Sequence, residues 1–571
     1  MKKILIIICA FCLISDIASA MSPQERIDDA HTIINIYTQQ YGPLQWKIEN
    51  LGLDFNASAN ELLGAAANAP SDREFYRAVA LFLAELRDAH VSYNIPSSLV
   101  AFLPFRIEYF KDGVVVKGKR VEKSLCGKKE FKECAEDIPI HEGDILMAID
   151  GVPVEDIIDE LIPYNETGHE PTNRKTTGSY FVTYRPQAVF PDVPEGKAVV
   201  TVRRDGENFD VETEWIRTGF ELAEMPPKSA ISYMTAAIGA SPYKASTSAI
   251  NAWSPDSGNS FIEDFRNSHH VNFALDKGNA MIGNPFPFFP LWDDFEQRMK
   301  KYYYTGTFNV GENKIGYIRI ESWMNYSKGP HIDALEKEIA WMNNNTDAII
   351  IDQTNNGGGN SCYMNKVASF FIFEPKNEIK FQLRANRMWL SMMEGWYAYA
   401  MDEADKVHAL SWLTALRKAV ENGDYLSEPL PDCSALGKIF PYRNKEGTPV
   451  LYTHPVLVLT NELDFSAADM FPVLMKDIGA AKLFGARTAG AGGSVTGTQM
   501  IGNSELSLRV TLSLMFREKE TLTEAGTPTH YIENVGATPD FIYETTLKDY
   551  QDEYKAYRAA IEGVILGLIG K

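Results

Sequence analysis

Two short apolar runs constrain this chain more than any other feature. Asp347–Asp352 (DAIIID) and Val456–Thr460 (VLVLT) show no polar–apolar alternation, so each predicts a strand covered on both faces, as inside a parallel sheet flanked by helices. The first run ends in QTNNGGG and leads into a helical pattern. The second ends in the turn formers Asn461 to Asp464, after which Ser466 opens a pattern with Phe471, Leu474, Met475 and Ile478 at helical spacing. From Tyr302 onward, strand patterns (Ile315–Ile320, 347–352, 456–460, Ala481–Phe484 and two around 497–515) alternate with helical ones such as His331–Asn343. A Met-, Trp- and Tyr-rich helical insertion interrupts them at about 375–430. The expectation is a multi-domain α/β protein whose core, residues 301–548, has a largely parallel sheet with the site at its carboxyl ends, followed by a terminal helix at 549–571.

Upstream, residues 21–98 predict a helical domain. Ile27, Ala30, Ile33, Ile34 and Tyr37 fall on one helix face, as do Phe75, Val79, Phe82, Leu83 and Leu86; the second pattern runs into LRDAHVSYNIP, which places His90 after Arg87 and Asp88. Residues 99–215 read as short strands with one helix. Gly143-Asp144 turns into a strand at Ile145–Ile149, Asp150-Gly151 is a hairpin turn, and Val154 to Ile162 is an amphipathic helix. That segment resembles the core of a PDZ domain, which adds an extended peptide to a sheet edge. Residues 216–300 form a connector rich in Pro, Ser, Asn and Gly, with the stretch GNPFPFFPLWDD near its end.

The first twenty residues carry Lys2 and Lys3, an apolar stretch from Ile4 to Ile14 and Ala18-Ser19-Ala20, the pattern of a cleaved secretory signal. Neither Cys9 nor Cys12 follows the small residue a lipoprotein signal needs, so release into the periplasm or beyond is expected, with no membrane anchor. A net charge of −21 argues against nucleic acid as a partner. Of six cysteines, two lie in the signal; Cys126 and Cys134, close together in a Lys-rich turn, could pair in an oxidising compartment. The spacing of cysteines and histidines matches no zinc site, so no metal and no cofactor is expected.

A serine between a strand and a helix is held rigidly with its hydroxyl exposed beside the helix N-terminus, which makes Ser466 a candidate nucleophile as well as a candidate cap. Gly357-Gly358-Gly359 ends the preceding apolar strand, where bare backbone N–H groups can face an oxyanion, and the N–H of Ala467 can supply another donor. No Lys-Ser/Thr follows the glycines as in a P-loop, nor does their spacing fit a dinucleotide site.

DAIIIDQTNNGGG, NELDFSAADMFPVLMKDIGAAKLFGARTAGAGG and YIENVGATPD, in that order and downstream of LRDAH and a PDZ-like segment, resemble the S41 family of C-terminal-processing and tricorn-like serine peptidases. The resemblance implies Ser466 as nucleophile, His90 as general base and acid, Glu533 as the carboxylate orienting the histidine, and an oxyanion hole from Ala467 with Gly358 or Gly357. Where tail-specific members carry a catalytic lysine, this chain has Ala491, which points to the Ser-His-Glu branch; Ala89 also replaces the serine that tricorn-like members place before the histidine. The resemblance further implies protein or peptide substrates, a zymogen that cleaves itself in the connector, a homodimer, and delivery into a host cell as a virulence factor. The rival readings are a lysine-dependent tail-specific protease and a non-catalytic PDZ-type peptide-binding protein on a degenerate core.

Overall fold

The structure, a computed structural model, describes residues 20–119, 138–222, 292–400, 402–495 and 498–570. Cys126, Cys134, the signal sequence up to residue 19 and most of the connector lie outside them.

Ala348–Asp352 and Val456–Thr460 are strands in which every residue is buried. They lie side by side in parallel, with Ile349 opposite Val456, at the centre of a seven-stranded sheet ordered Glu296–Met299, Tyr304–Val310, Asn313–Arg319, Ala348–Asp352, Val456–Thr460, Lys482–Gly485, Phe541–Ile542. The sheet is mixed. Its first three strands are antiparallel and the rest join in parallel. Alternate residues of the two central strands face opposite cores. Ile349, Ile351, Val456 and Val458 pack with the helices Pro330–Asn345, Ser361–Ala368 and Ala467–Asp477, whereas Ala348, Ile350, Leu457 and Leu459 pack under the terminal helix Lys555–Ile569. This two-sided covering is why the runs lack polar residues. The insertion forms helices Arg387–Tyr399 and Glu403–Asn422, whose Trp389, Met393, Trp412 and Leu416 extend the first core. A disulfide that the sequence reading did not pair joins Cys362, on the helix after the glycine turn, to Cys433.

The PDZ-like unit holds a separate sheet of Phe105–Phe110, Gly113–Lys119, Ile145–Ile149, Lys197–Arg204 and Glu207–Glu214. Its expected hairpin turn is present, with Asp150 at φ 53° and Gly151 at φ 77°. In place of a single helix, the described residues of the unit hold two α-helices, Val154–Leu161 and Glu170–Thr176.

Four helices, Pro23–Gln40, Leu44–Leu51, Phe55–Asn68 and Asp72–Ala84, build the N-terminal unit. The last stops at Ala84 instead of running to His90. Arg87 turns the chain with φ 50°, and its carbonyl is used outside the helix, accepting from the side chains of Lys47 and Asn534. The strand just after His90, Ser92–Asn94, pairs antiparallel with Ser507–Arg509 of the core. The Tyr37 hydroxyl donates to the Arg509 carbonyl (3.0 Å) and that of Tyr76 to the Ser504 carbonyl (2.6 Å). Ile501, Leu506, Leu508 and Val510 are buried in the helical unit's own core. The N-terminal helices are thereby docked on core residues 501–510 through strand pairing, hydroxyls and apolar burial together.

Candidate active site

Parallel pairing of the two central strands sets their carboxyl ends next to each other, so the glycine turn and the Ser466 elbow meet. The fully buried Asp464 accepts from the N–H of Asn461 (3.2 Å), the N–H of Asn356 (3.1 Å) and the amide of Gln353 (3.2 Å). The Phe465 N–H donates to the Asn356 carbonyl at 2.9 Å. Below them a buried ion pair, Arg319–Asp352 at 2.7 Å, holds the start of the turn, and Arg319 also donates to the Thr354 hydroxyl at 3.0 Å.

Ser466 is half-buried with φ 59° and ψ −117°, a conformation sparsely populated by residues with a side chain. Its N–H donates to the Asp469 carboxylate at 2.8 Å. The helix begins at Ala467, so that residue's amide has no acceptor within the helix. Gly358 lies against this elbow. A Cβ there would stand 2.5 Å from the Phe465 carbonyl oxygen, 2.8 Å from Ser466 Cβ and 3.1 Å from the Ala467 nitrogen, and φ is +89°; no other residue fits. The Gly358 N–H donates to Asn356 Oδ1 at 2.9 Å, so the amide favoured from the sequence as an oxyanion donor already has an acceptor. Gly357 is half-buried beside it.

Two buried carboxylates fasten the loop Thr488 to Gly492. Asp469 accepts from the Gly490 and Ala491 amides at 2.8 and 2.9 Å and from the Thr488 hydroxyl; burial pushes its carboxyl up to about 6 against those donors. Glu533 accepts from the Gly492 N–H at 2.7 Å and forms an ion pair with Lys47, both side chains being wholly inaccessible to solvent. Burial, reinforced by Asp88, pushes the Glu533 carboxyl up, while Lys47 and the Gly492 N–H pull it back. Lys47 also donates to Asn534 Oδ1 and, at 2.8 Å, to the Arg87 carbonyl. Asn534, at φ 57°, donates from its amide to the carbonyls of Arg87 (2.8 Å) and Thr167 (2.9 Å). It thereby touches all three units.

His90 follows within the same turn. Its N–H donates to Asp88 Oδ1 at 2.8 Å, and the Tyr41 hydroxyl donates to Asp88 Oδ2 at 2.8 Å. Burial holds the imidazole down at about 4; Asp88 opposes this, and Arg509 and Lys47 add to it. Nδ1 is out of contact with solvent and has no hydrogen-bond partner among the described residues. The Glu533 carboxylate is bonded to Lys47 and Gly492, not to the imidazole. His90 and Glu533 are therefore gathered through the Arg87 carbonyl, Lys47 and Asn534. A cleft lined by Asp88, Ala89, Tyr93, Tyr164, Glu166 and Thr167 opens beside the turn.

Lys47, Asp469 and Asn534 were not singled out from the sequence. Lys47 lies in YGPLQWK and Asn534 in ENVGATPD, but no spacing rule marks a lysine on a short helix as buried. Asp469 carried a signal: it is the third residue of the helix that Ser466 opens, where an acid reaches back to the cap N–H.

Residues 314–542 match the model of peptidase family S41, and residues 99–225 that of a PDZ domain. The match at 314–542 is to a peptidase unit of the S41 type and supports a serine peptidase. It is 28% identical over 590 residues to an uncharacterized protein of Chlamydia muridarum, covering 95% of this chain and 92% of that one. A protein of Chlamydia trachomatis serovar D is 27% identical over 593 residues, with the same coverage of 95% and 92%. Among solved structures, mature CPAF, the chlamydial protease-like activity factor, superposes with a TM-score of 0.73 at 22% identity, over 96% of this chain and 98% of that one. The described residues thus share the CPAF fold. No helix among the described residues is long and apolar enough to cross a membrane.

Proposed function

We propose that this protein is an exported serine endopeptidase in which Ser466 attacks the scissile carbonyl, His90 takes the serine proton and returns it to the leaving amine, and Glu533 stabilises the imidazolium. The Ala467 amide is the first oxyanion donor. Gly357 is the better second donor, because the Gly358 amide is engaged, and the role of Gly358 is to leave room for the serine. One observation carries the reading: hydrogen bonds run from the Ser466 amide through Asp469 to Gly490 and Ala491, and two residues on from Gly490 Gly492 donates to Glu533, whose Lys47 partner holds the turn bearing His90. His90 and Glu533 are unbonded here, as catalytic groups often are before substrate closes a site. A Ser-Lys mechanism is disfavoured because Ala491 carries no base and the three N–H groups of Lys47 all have acceptors.

Purified Ser466→Ala is expected to lose casein and peptide cleavage by 10⁴-fold or more, on the order seen for triad serines, while keeping its circular dichroism spectrum; undiminished turnover would sink the assignment. His90→Ala is expected to be more severe than Glu533→Gln. The domain reading has the helical residues 21–98 delivering His90, the PDZ-like residues 99–215 engaging substrate peptide, and the connector 216–300 as a site of self-cleavage in a dimerising zymogen. Mass spectrometry of aged wild-type and Ser466→Ala protein tests the last point, identical intact masses counting against it.

A further inference from the structure

Resting on the Ser466–His90–Glu533 reading, we propose that Lys47 is a positioning residue: its charge keeps Glu533 ionised and seated opposite the turn that carries His90, so turnover depends on that charge and not only on the bulk of the side chain.

Lys47 is completely buried, and the side chain it pairs with is too. A buried ammonium persists only when it is paired and its N–H groups are satisfied. Here three acceptors come from segments far apart in sequence: the Glu533 carboxylate, Asn534 Oδ1 and the Arg87 carbonyl. Two of them flank the catalytic geometry, because Glu533 is itself a proposed triad member and Arg87 stands three residues before His90. Asn534 duplicates one of these contacts, donating to the same Arg87 carbonyl. The turn would therefore keep one of its two anchors without Lys47, whereas the Glu533 carboxylate would lose its only cationic partner among the described residues.

The charges facing each other are few. Asp88, Arg509 and Lys47 face His90, while Lys47 and Asp88 face Glu533. Tyr41 faces both carboxylates, with its hydroxyl on Asp88. Without Lys47, Glu533 would keep one hydrogen bond, from Gly492, and the repulsion of Asp88. It would then take up a proton, and a neutral carboxyl cannot stabilise an imidazolium. Loss of the ammonium also removes a charge that disfavours protonation of His90. Both consequences move the acid limb of activity to higher pH.

The test is kcat/KM against pH on a fluorogenic peptide, normalised to active sites titrated with a fluorophosphonate, for wild type, Lys47→Met, Lys47→Arg, Glu533→Gln and the double variant Lys47→Met/Glu533→Gln. Lys47→Met is expected to lower kcat/KM at neutral pH by about 100-fold, chiefly in kcat, and to raise the acid limb by about one pH unit or more, with Lys47→Arg recovering much of both. The double variant should match Glu533→Gln within about threefold, since Lys47 acts through that carboxylate. A Lys47→Met enzyme with lowered Tm but wild-type kcat/KM per titrated site and an unmoved limb would reduce Lys47 to a structural prop and overturn the proposal. If Lys47→Met yields no folded enzyme, the double variant decides: a further loss of about tenfold or more beyond Glu533→Gln contradicts the proposal. Wild-type rates in Glu533→Gln would instead remove Glu533 from the mechanism, a failure of the underlying reading that is visible separately from any effect of Lys47.

Discussion

Gly358 is the residue whose identity the site dictates most tightly. Its left-handed φ and the 2.5 Å approach to the Phe465 carbonyl leave no space for a methyl group, and the neighbour that would have to yield is the backbone of the elbow itself. Gly358→Ala is expected to destabilise the protein by at least about 2 kcal/mol and to cost more activity than stability, measurable as a fall in kcat/KM per folded molecule; a fully active, stable Gly358→Ala would mean that the elbow can move. The His90 imidazole predicts the pH profile. A base must be neutral to accept a proton, and burial holds this ring at about 4, so the ascending limb of kcat/KM should lie near that value and not near the ordinary histidine value of about 6.5. A limb above neutrality would assign the titration to Glu533, whose carboxyl burial pushes upward. At this scale the sequence singled out residues where chemistry restricts residue type, as with Ser466, the glycines and Ala491. It was silent on Lys47, because its place comes from burial against segments distant in the chain.

The elements were legible wherever burial is two-sided or a turn demands a special residue. Val456–Thr460 is a strand with the bounds expected, and the helix after it starts one residue beyond Ser466. The apolar pattern did not reveal that the sheet begins antiparallel, since Tyr304–Val310 and Asn313–Arg319 form a hairpin whose inner residues look like those of a parallel strand. The helix expected to reach His90 was cut short by contacts of the Arg87 carbonyl that no local pattern encodes. Pairing of Cys362 with Cys433 was equally hidden, because the two are 71 residues apart and the whole helical insertion lies between them. The bond ties that insertion to the helix leaving the glycine turn. Replacing both cysteines with serine is expected to remove roughly 4 kcal/mol of chain-entropy stabilisation and lower Tm by several degrees in calorimetry; an unchanged Tm would show that the insertion is held by its apolar core alone.

Across the whole molecule, three units contribute to the candidate site, and the proposed base, His90, lies on the N-terminal one. Its docking rests on the pairing of Ser92–Asn94 with Ser507–Arg509 and on Leu508 and Val510 buried among its helices. Leu508→Ala should cost about 2–4 kcal/mol and lower activity together with the unfolding temperature of the helical unit; loss of stability with full activity retained at assay temperature would separate docking from catalysis. That Ser466 is a nucleophile served by a distant histidine is the central claim, and the most direct measurement is fluorophosphonate labelling followed by peptide mapping on wild type, Ser466→Ala and His90→Ala. The account predicts a single adduct on Ser466 in the wild type, none in Ser466→Ala, and labelling slowed by orders of magnitude in His90→Ala. An adduct on another residue, or labelling of His90→Ala at the wild-type rate, would contradict it.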